Sequence, residues 1–384
     1  MKKILSLLIA LVLLASCTGG TKGQSGATDS LVADSVDFAF PVTFTYAEWV
    51  QVTNHPGYKE LLILMPGSRD TLERYILYPR GHKPALETQA QLIPIPARTL
   101  GCLSTTDVGV LPILGLRDVL VACSEPSNIN DSLLHQRFVS GQIANIGQGM
   151  GRNVEQILAT HPDVLLQSMS ESTEQDKELI RAGISTLTIH NWQEGSLLAR
   201  AEWLKVVGLL FGRNQVADSA FRSIESEYRA ACDLVRAEPE ELPILYGLDY
   251  QGVWYIPSED SYVTSMLRDA KLRYEATPSG VVSEPVGFEY VFSRHRHAKT
   301  WICVTPQGLT RLGEFLALSD RYGHFDAAQT GSVWVDRKTV GYGSSDFWEG
   351  APYRPYLILK DLIKATRPHL LPQYSPTYFL RLER

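Results

Sequence analysis

The sequence predicts an α/β protein in which two lobes with mainly parallel sheets are joined by one long rigid helix. Two observations support this fold class. Short apolar runs of strand length alternate with helical segments in residues 97–195 and again in residues 242–384, a pattern typical of parallel sheets covered by helices. Between these regions, apolar residues recur at helical spacing. A β-rich preamble and linker over residues 38–96 is expected to precede the first lobe.

Residues 196–241 are the predicted linking helices. The first helix carries Leu197, Leu204 and Phe211 on one face. The segment Gly212-Arg213-Asn214 interrupts it, and Asn214 is the expected N-cap of the second helix. At 1.5 Å per residue the second helix is expected to be about 34 Å long, the width of a small domain. It ends before Glu238-Pro239.

The composition of the chain is that of a globular protein. Its 384 residues suffice for two domains with their own cores. The net charge is −6 at pH 7, and no basic stripe with interleaved aromatic residues is present. These features argue against nucleic-acid binding.

The first residues predict export and a lipid anchor. Lys2-Lys3 is followed by the apolar stretch Ile4 to Leu14, which is too short to span a bilayer. Leu14-Ala15-Ser16-Cys17 then has the form of a bacterial lipobox. We expect residues 1–16 to be a lipoprotein signal peptide and Cys17 to carry the lipid. Residues 17–37, rich in Gly, Ser and Thr, form a flexible tether, so the mature protein is expected in the periplasm, anchored to a membrane.

Each lobe is expected to be Rossmann-like. The first lobe, residues 97–195, has predicted strands at 98–103, 118–122, 164–167 and 185–189, and the second, residues 242–384, has them at 243–248, 300–304 and 332–335. Ligands of open α/β sheets bind at the carboxyl ends of the strands. The predicted ligand site is therefore a cleft between the two lobes.

Aromatic residues follow several of these strands. They come from both lobes and suit a large, flat or partly apolar ligand, since each buries much area at little entropic cost. The alternative is that they pack the lobe interface or the cores. The residues are Trp192, Tyr250, Trp254, Tyr255, Phe347 and Trp348.

Other polar motifs give weaker indications. His190 and Asp249 stand at strand ends that face the predicted cleft. They can serve as metal or ligand contacts, or they can be structural residues. The run from Gly147 to Gly151 is better interpreted as a turn than as a nucleotide loop, and no P-loop, zincin or hydrolase motif is present. Cys102 and Cys123, on consecutive predicted strands, can form a disulfide or remain buried thiols.

Glu155 and Glu289 occupy equivalent places in the two lobes. Each begins a short apolar helix that leads into a strand about ten residues later. One acid on each lobe can pair with arginines of a partner. The alternative is favourable charge placement at a helix N-terminus.

Several motifs together resemble a known family. They are the lipobox, Arg98-Thr99-Leu100-Gly101-Cys102-Leu103-Ser104 and Asn153-Val154-Glu155-Gln156-Ile157-Leu158 before His161-Pro162-Asp163. They resemble the periplasmic substrate-binding proteins of iron-siderophore, heme and vitamin B12 ABC importers. Gly252-Val253-Trp254-Tyr255-Ile256-Pro257 and Asp346-Phe347-Trp348-Glu349 resemble the lipoprotein type of this family found in Bacteroidetes.

The resemblance implies site residues and partners. Its ligand loops correspond here to segments that contain Ser104, Thr105, Gln167, His190, Trp192, Tyr250, Trp254, Tyr255, Phe347 and Trp348. Glu155 and Glu289 match the positions that dock on the membrane permease. One departure is Pro257-Ser258-Glu259-Asp260-Ser261-Tyr262, where many relatives carry PGGxSY, so two acids stand near the cleft in place of glycines.

The sequence therefore predicts a monomeric, lipid-anchored binding protein without catalytic residues, resident metal or cofactor. Its expected ligand is a small-molecule metal chelate or tetrapyrrole: a ferric siderophore, heme or cobalamin. Two alternatives remain at this point. One is a tetrapyrrole chelatase-like enzyme, with His190 and Asp249 as proton acceptors. The other is a lipoprotein partner of an outer-membrane receptor.

Overall fold

The computed structural model describes residues 37–149, 151–168, 174–278, 280, 283–304, 308–336 and 342–384. The predicted signal peptide, Cys17 and all of the tether but Asp37 lie outside the described residues. Within the described ranges, no helix combines the length and the apolar character that crossing a membrane requires.

The preamble folds as a sheet. Its strands are β1 (Val50–His55), β2 (Tyr58–Leu64), β3 (Thr71–Pro79) and β4 (Gln91–Ile95), in that order. β1, β2 and β3 pair antiparallel, whereas β4 runs parallel to β3. The sequence predicts a linker where β4 forms. Pro94 is tolerated because β4 is an edge strand, and burial of Ile93 and Ile95 stabilises it there.

The first lobe is built on a parallel sheet. In chain order its strands are β5 (Leu100–Cys102), β6 (Leu120–Cys123), β7 (Ala144–Asn145), β10 (Val164–Gln167) and β11 (Ser185–Thr188), and β8 (Gly147–Gln148) with β9 (Gly151–Arg152) form a small hairpin. The spatial order is β11-β10-β5-β6-β7, and every pair is parallel. The α-helices here are α1 (Leu111–Leu114), α2 (Ser132–Val139), α3 (Val154–Thr160) and α4 (Glu174–Arg181).

The linking region contains α5 (Leu197–Glu202), α6 (Leu204–Leu210) and α7 (Asn214–Arg236). The 23 residues of α7 give the predicted length of about 34 Å. The prediction that Asn214 is the N-cap is wrong, because Asn214 is already the first helical residue. The carboxylate of Asp37 accepts hydrogen bonds from the backbone N–H groups of Asn214 (2.9 Å) and Gln215 (3.2 Å) instead. The first turn is thus capped from a distant part of the chain.

The second lobe repeats the parallel design. Its main sheet has the order β15-β12-β17-β18-β19, parallel except for the last pair. A separate antiparallel sheet has the order β13-β14-β16. The strands are β12 (Leu242–Tyr246), β13 (Asp249–Tyr250), β14 (Val253–Pro257), β15 (Leu272–Arg273), β16 (Ser283–Val286), β17 (Thr300–Cys303), β18 (Val333–Asp336) and β19 (Phe379–Arg381).

Short helices complete this lobe and its return to the first. The α-helices are α8 (Tyr262–Asp269), α9 (Phe288–His295), α10 (Leu312–Leu316), α11 (Asp326–Thr330), α12 (Asp346–Glu349) and α13 (Pro355–Thr366). The 3₁₀ helices of the described chain are Thr105–Val108, Arg117–Val119, Pro126–Asn128, Asn191–Gln193, Tyr322–His324, Ala351–Tyr353 and Pro368–Leu370. The α/β fold class with mostly parallel sheets is confirmed.

The preamble is fixed to the linking helices by two buried acids. The carboxylate of Glu202 accepts backbone N–H bonds from Thr45 (2.9 and 3.0 Å), Tyr46 (2.7 Å) and Ala47 (2.9 Å). It also accepts from Nζ of Lys205 at 2.8 Å. Glu194 accepts the N–H groups of Glu48 and Trp49 and the indole N–H of Trp203. Apolar residues of the preamble, the first lobe, the linking helices and α13 share a continuous core.

The C-terminal segment returns to the first lobe. Glu349 at the end of α12 is buried and accepts backbone N–H bonds from Asn130 (2.6 Å) and Asp131 (3.1 Å). The N–H of Ser344 donates to the carbonyl of Asn128 at 3.0 Å. Residues of the predicted second lobe therefore tie directly to the first, across more than 200 positions of sequence.

The cysteines of the described chain are free thiols. Cys102 and Cys123 are register partners on the neighbouring parallel strands β5 and β6, and both are buried. Burial raises the pKa of each thiol, so both are protonated at neutral pH. Of the two possibilities for this pair, the structure has buried thiols and no disulfide.

Candidate functional site

A cavity of about 360 Å³ lies between the lobes. This volume is in the range of small-molecule sites in proteins. Its lining residues come from both lobes and from the linking helix α5. They are Ser104, Thr106, Asp107, Ser168, Ile189, Asn191, Trp192, Arg200, Ser261, Tyr262, Val263, Ser283 and Trp348.

The first-lobe wall lies at the carboxyl ends of parallel strands, as the fold class predicts. The residues after β5 turn into a 3₁₀ helix in which the hydroxyl of Ser104 accepts the N–H of Thr106 at 3.2 Å. Ser168 directly follows β10, and Trp192 lies just beyond β11. Three neighbouring strands thus deliver polar groups and one indole to the same edge of the sheet.

The second-lobe wall is formed by the start of α8 and by β16. Ser261 is the N-cap of α8, and its hydroxyl accepts the N–H of Thr264 at 3.3 Å. The next residue, Tyr262, stacks its ring against the guanidinium of Arg200. Ser283 begins β16, and Trp348 on α12 adds a second indole. The cavity therefore combines hydroxyl, amide, carboxyl and guanidinium groups with aromatic faces at Trp192, Tyr262 and Trp348.

Three of the predicted ligand residues line this cavity: Ser104, Trp192 and Trp348. The indoles of Trp192 and Trp348 are 41% and 45% exposed, so both have free surface for a ligand. Thr105 is in the same 3₁₀ helix as Ser104, but its neighbour Thr106 takes the place in the lining.

The structure places the other predicted residues elsewhere. Gln167 is buried and accepts a bond from Nη1 of Arg152 at 3.3 Å. His190 is also buried, and burial lowers its pKa. Tyr250 and Tyr255 are exposed on the hairpin of β13 and β14, outside the cavity lining.

The prediction of ligand contact is wrong for Trp254 and Phe347, because both side chains are buried. Trp254 is 0% exposed and stacks on Trp301, with ring centroids 5.8 Å apart. Side chains alternate along a strand, so the outward position of Tyr255 turns Trp254 into the core. Phe347 packs on Phe379, while the adjacent Trp348 points to the cavity.

The two residues considered for metal binding or proton transfer are not brought together at the cavity. Neither His190 nor Asp249 lines it. The carboxylate of Asp249 accepts bonds from the hydroxyl of Tyr322 and from the N–H of Gly252. Over the described ranges, no group of three or more His, Cys, Asp or Glu side chains is placed to hold a metal ion.

Sequence reasoning missed several lining residues, above all Arg200. The sequence contains a signal for it, because the segment from Leu197 to Phe211 is apolar except for Arg200, Glu202 and Lys205. Every residue of α5 and α6 is buried, so these helices are enclosed on all sides. A cation in such a helix needs a particular reason to be there. The same reasoning points to Glu202 and Lys205, which pair with each other.

The two candidate docking acids lie on the outside of the molecule. Glu155 is in the first turn of α3 and Glu289 in the first turn of α9, and both are exposed. Within the described ranges, neither carboxylate forms an ion pair. Their placement fits both interpretations from the sequence, partner contact and helix N-terminal charge.

Burial raises the pKa of three carboxyls, those of Asp107, Glu194 and Glu349, to about 7. In the unfolded chain such groups have a pKa near 4. Between these values the folded state binds more protons than the unfolded state. The three groups therefore reduce the free energy of unfolding as the pH rises from about 4 to 7.

A Glu349→Gln variant tests this pH dependence. Relative to this variant, the wild-type protein should lose about 2–3 kcal/mol of stability between pH 5 and pH 7.5. Urea denaturation of both proteins at both pH values measures the difference. Buried His190 and His295, whose pKa values are lowered, act in the opposite direction but cancel in the comparison. A stability difference independent of pH would contradict the assignment.

Comparisons with known proteins identify the family. The sequence model described as "Periplasmic binding protein" matches residues 101–339. An uncharacterized lipoprotein of Methanocaldococcus jannaschii is 19% identical over 317 residues, which cover 79% of this chain and 73% of that protein.

Solved structures share the fold. A periplasmic heme binding protein from Pseudomonas aeruginosa superposes with a TM-score of 0.56 at 17% identity, covering 73% of this chain and 95% of that one. The triscatecholate siderophore binding protein FeuA from Bacillus subtilis, complexed with ferri-bacillibactin, gives 0.53 at 16% identity, with 74% and 99% covered. Because the sequence model spans more than half of the chain, the protein belongs to the periplasmic binding protein family.

Proposed function

We propose that the protein is the lipid-anchored, substrate-binding component of an ABC importer. It captures an iron complex, either a ferric siderophore or heme, or else cobalamin, between its lobes and delivers it to a membrane permease. The observation that carries the proposal is the interlobe cavity, whose walls come from both lobes and from the linking helix. A ligand held there contacts both lobes at once.

The chemistry of the lining supports this class of ligand. Two partly exposed indoles offer flat apolar faces. Hydroxyl groups and one arginine offer polar contacts around them. The solved relatives include a heme binding protein and a siderophore binding protein. The lipid on Cys17 keeps the protein at the membrane, where Glu155 and Glu289 pair with cations of the permease.

A fluorescence titration tests the proposed function. Hemin, cobalamin, a ferric tris-catecholate and a ferric trihydroxamate siderophore are added to the protein truncated before residue 18. We expect saturable quenching of tryptophan emission by one of them, with a Kd on the order of micromolar or tighter, because Trp192 and Trp348 line the cavity. Corrections for absorption by the coloured ligands use free tryptophan as the control. An unchanged emission with every ligand would contradict the proposal.

A further inference from the structure

The interlobe cavity contains a buried cation that the protein itself does not neutralise. Arg200 lies on α5, lines the cavity and is only 6% exposed. Its Nε atom is buried without a hydrogen-bond partner, and no carboxylate of the described chain forms an ion pair with it. A buried charge without a counter-ion is costly. Such a cost persists in a folded protein when the charge serves binding.

The nearby side chains position this cation without cancelling it. The Cζ atom of Arg200 lies 4.0 Å from the ring centroid of Tyr262. A guanidinium carries its N–H donors in its own plane, so stacking on one face leaves the donors available. The neighbouring phenols of Tyr246 and Tyr353 have pKa values raised by burial and are neutral.

Asp107 does not neutralise Arg200 either. It is the acid in the cavity lining, and its Oδ2 atom has no partner. Burial alone raises its pKa to about 7, with no contribution from a cation that would lower it. Below pH 7 it is largely a neutral carboxylic acid. The net charge of the lining is then set by Arg200.

We propose that Arg200 recognises an oxyanion, such as a carboxylate or an ionised phenolic oxygen, on the ligand of this cavity. This inference rests on the proposed function and names the charge class of its ligand. The guanidinium fork can bind a carboxylate through two parallel N–H···O bonds. The hydroxyl groups of Ser104 and Thr106 line the same cavity and can donate to the same group.

Arg200→Met tests the proposal, because methionine keeps much of the apolar stem and removes the charge. The probes are hemin, its dimethyl ester, a ferric tris-catecholate and a neutral ferric trihydroxamate. We expect the anionic probe that the wild-type protein binds to lose at least about 30-fold in affinity. An uncharged counterpart should bind both proteins equally. If affinity is lost for hemin but not for its ester, Arg200 binds the carboxylates. If affinity is lost for the tris-catecholate alone, Arg200 binds the phenolic oxygens.

A second measurement needs no ligand. Because Arg200→Met removes an uncompensated buried charge, the melting temperature of the ligand-free variant should equal or exceed that of the wild-type protein. The matched control is Arg268→Met, an exposed arginine that lines a different cavity. It should change neither the affinity nor the melting temperature.

The outcomes that would overturn this inference differ from the outcome that would contradict the proposed function. Binding of an anionic probe that is equal in the wild-type protein and in Arg200→Met would overturn this inference and leave the proposed function intact. A lower melting temperature of the ligand-free variant would show that the protein itself stabilises the charge, and would also overturn the inference. Failure of the wild-type protein to bind every probe would instead contradict the proposed function.

Discussion

Replacing Glu202 with alanine is expected to lower the free energy of unfolding by about 3–5 kcal/mol, the cost of breaking a buried charged contact. The Glu202 carboxylate is fully buried and accepts bonds from three consecutive backbone N–H groups and from Lys205. Alanine leaves these N–H groups without their acceptor and removes the close carboxylate from the buried Lys205 ammonium, which keeps its bond to the Thr43 carbonyl. The preamble would lose its principal attachment to the linking helices. Urea denaturation followed by circular dichroism measures the change.

Glu227→Ala is the matched control for this variant. Glu227 is also an acid on a linking helix, but its side chain is 53% exposed and its pair with Lys360 spans 3.3 Å. Exposed pairs contribute little, so its loss should cost less than about 1 kcal/mol. If Glu202→Ala were as stable as Glu227→Ala, the preamble would not depend on this carboxylate.

The double variant Glu155→Ala with Glu289→Ala is expected to abolish uptake of the ligand in cells while leaving its affinity for the purified protein unchanged. Both acids are exposed, and neither lines the interlobe cavity. Their removal takes one charge from each lobe that would pair with cations of the permease. Uptake of radiolabelled iron or cobalamin, together with a binding titration, measures the two effects separately.

The control for docking removes two exposed acids elsewhere, Glu87 and Glu240. This variant has the same net charge as the docking variant. Transport at the wild-type rate is expected for it. If the docking variant also transported the ligand at the wild-type rate, Glu155 and Glu289 would act only as helix N-terminal charges.

Much of the fold could be predicted because it depends on local patterns. The 3.6-residue periodicity gives α7 its predicted length, and apolar runs mark the parallel strands. The N-cap of α7 could not be predicted, since Asp37 lies 177 residues away in sequence. The strand β4 was also missed, because Pro94 within it and Pro96 directly after it are typical of a linker and only the burial of Ile93 and Ile95 stabilises it.

The site was less predictable than the fold. Loops after parallel strands were expected at the cleft, and Ser104 and Trp192 are there. Which member of an adjacent pair faces a ligand depends on which side of its helix or strand packs against the core. On α12, Phe347 is buried and Trp348 lines the cavity. Arg200 lies on a linking helix, outside the strand-end loops, and its unpaired state is visible only once the surrounding side chains are placed.

The most direct test of the account asks whether the ligand occupies the interlobe cavity. Thr106 lines that cavity, and Thr106→Trp fills it with an indole. Ser265→Trp makes a matched addition in the separate cavity beside Tyr46 and Glu48. Calorimetric titration with the ligand that quenches wild-type fluorescence should show at least a 100-fold loss of affinity for Thr106→Trp and none for Ser265→Trp. Unchanged affinity in a folded Thr106→Trp protein would place the ligand outside this cavity and contradict the account.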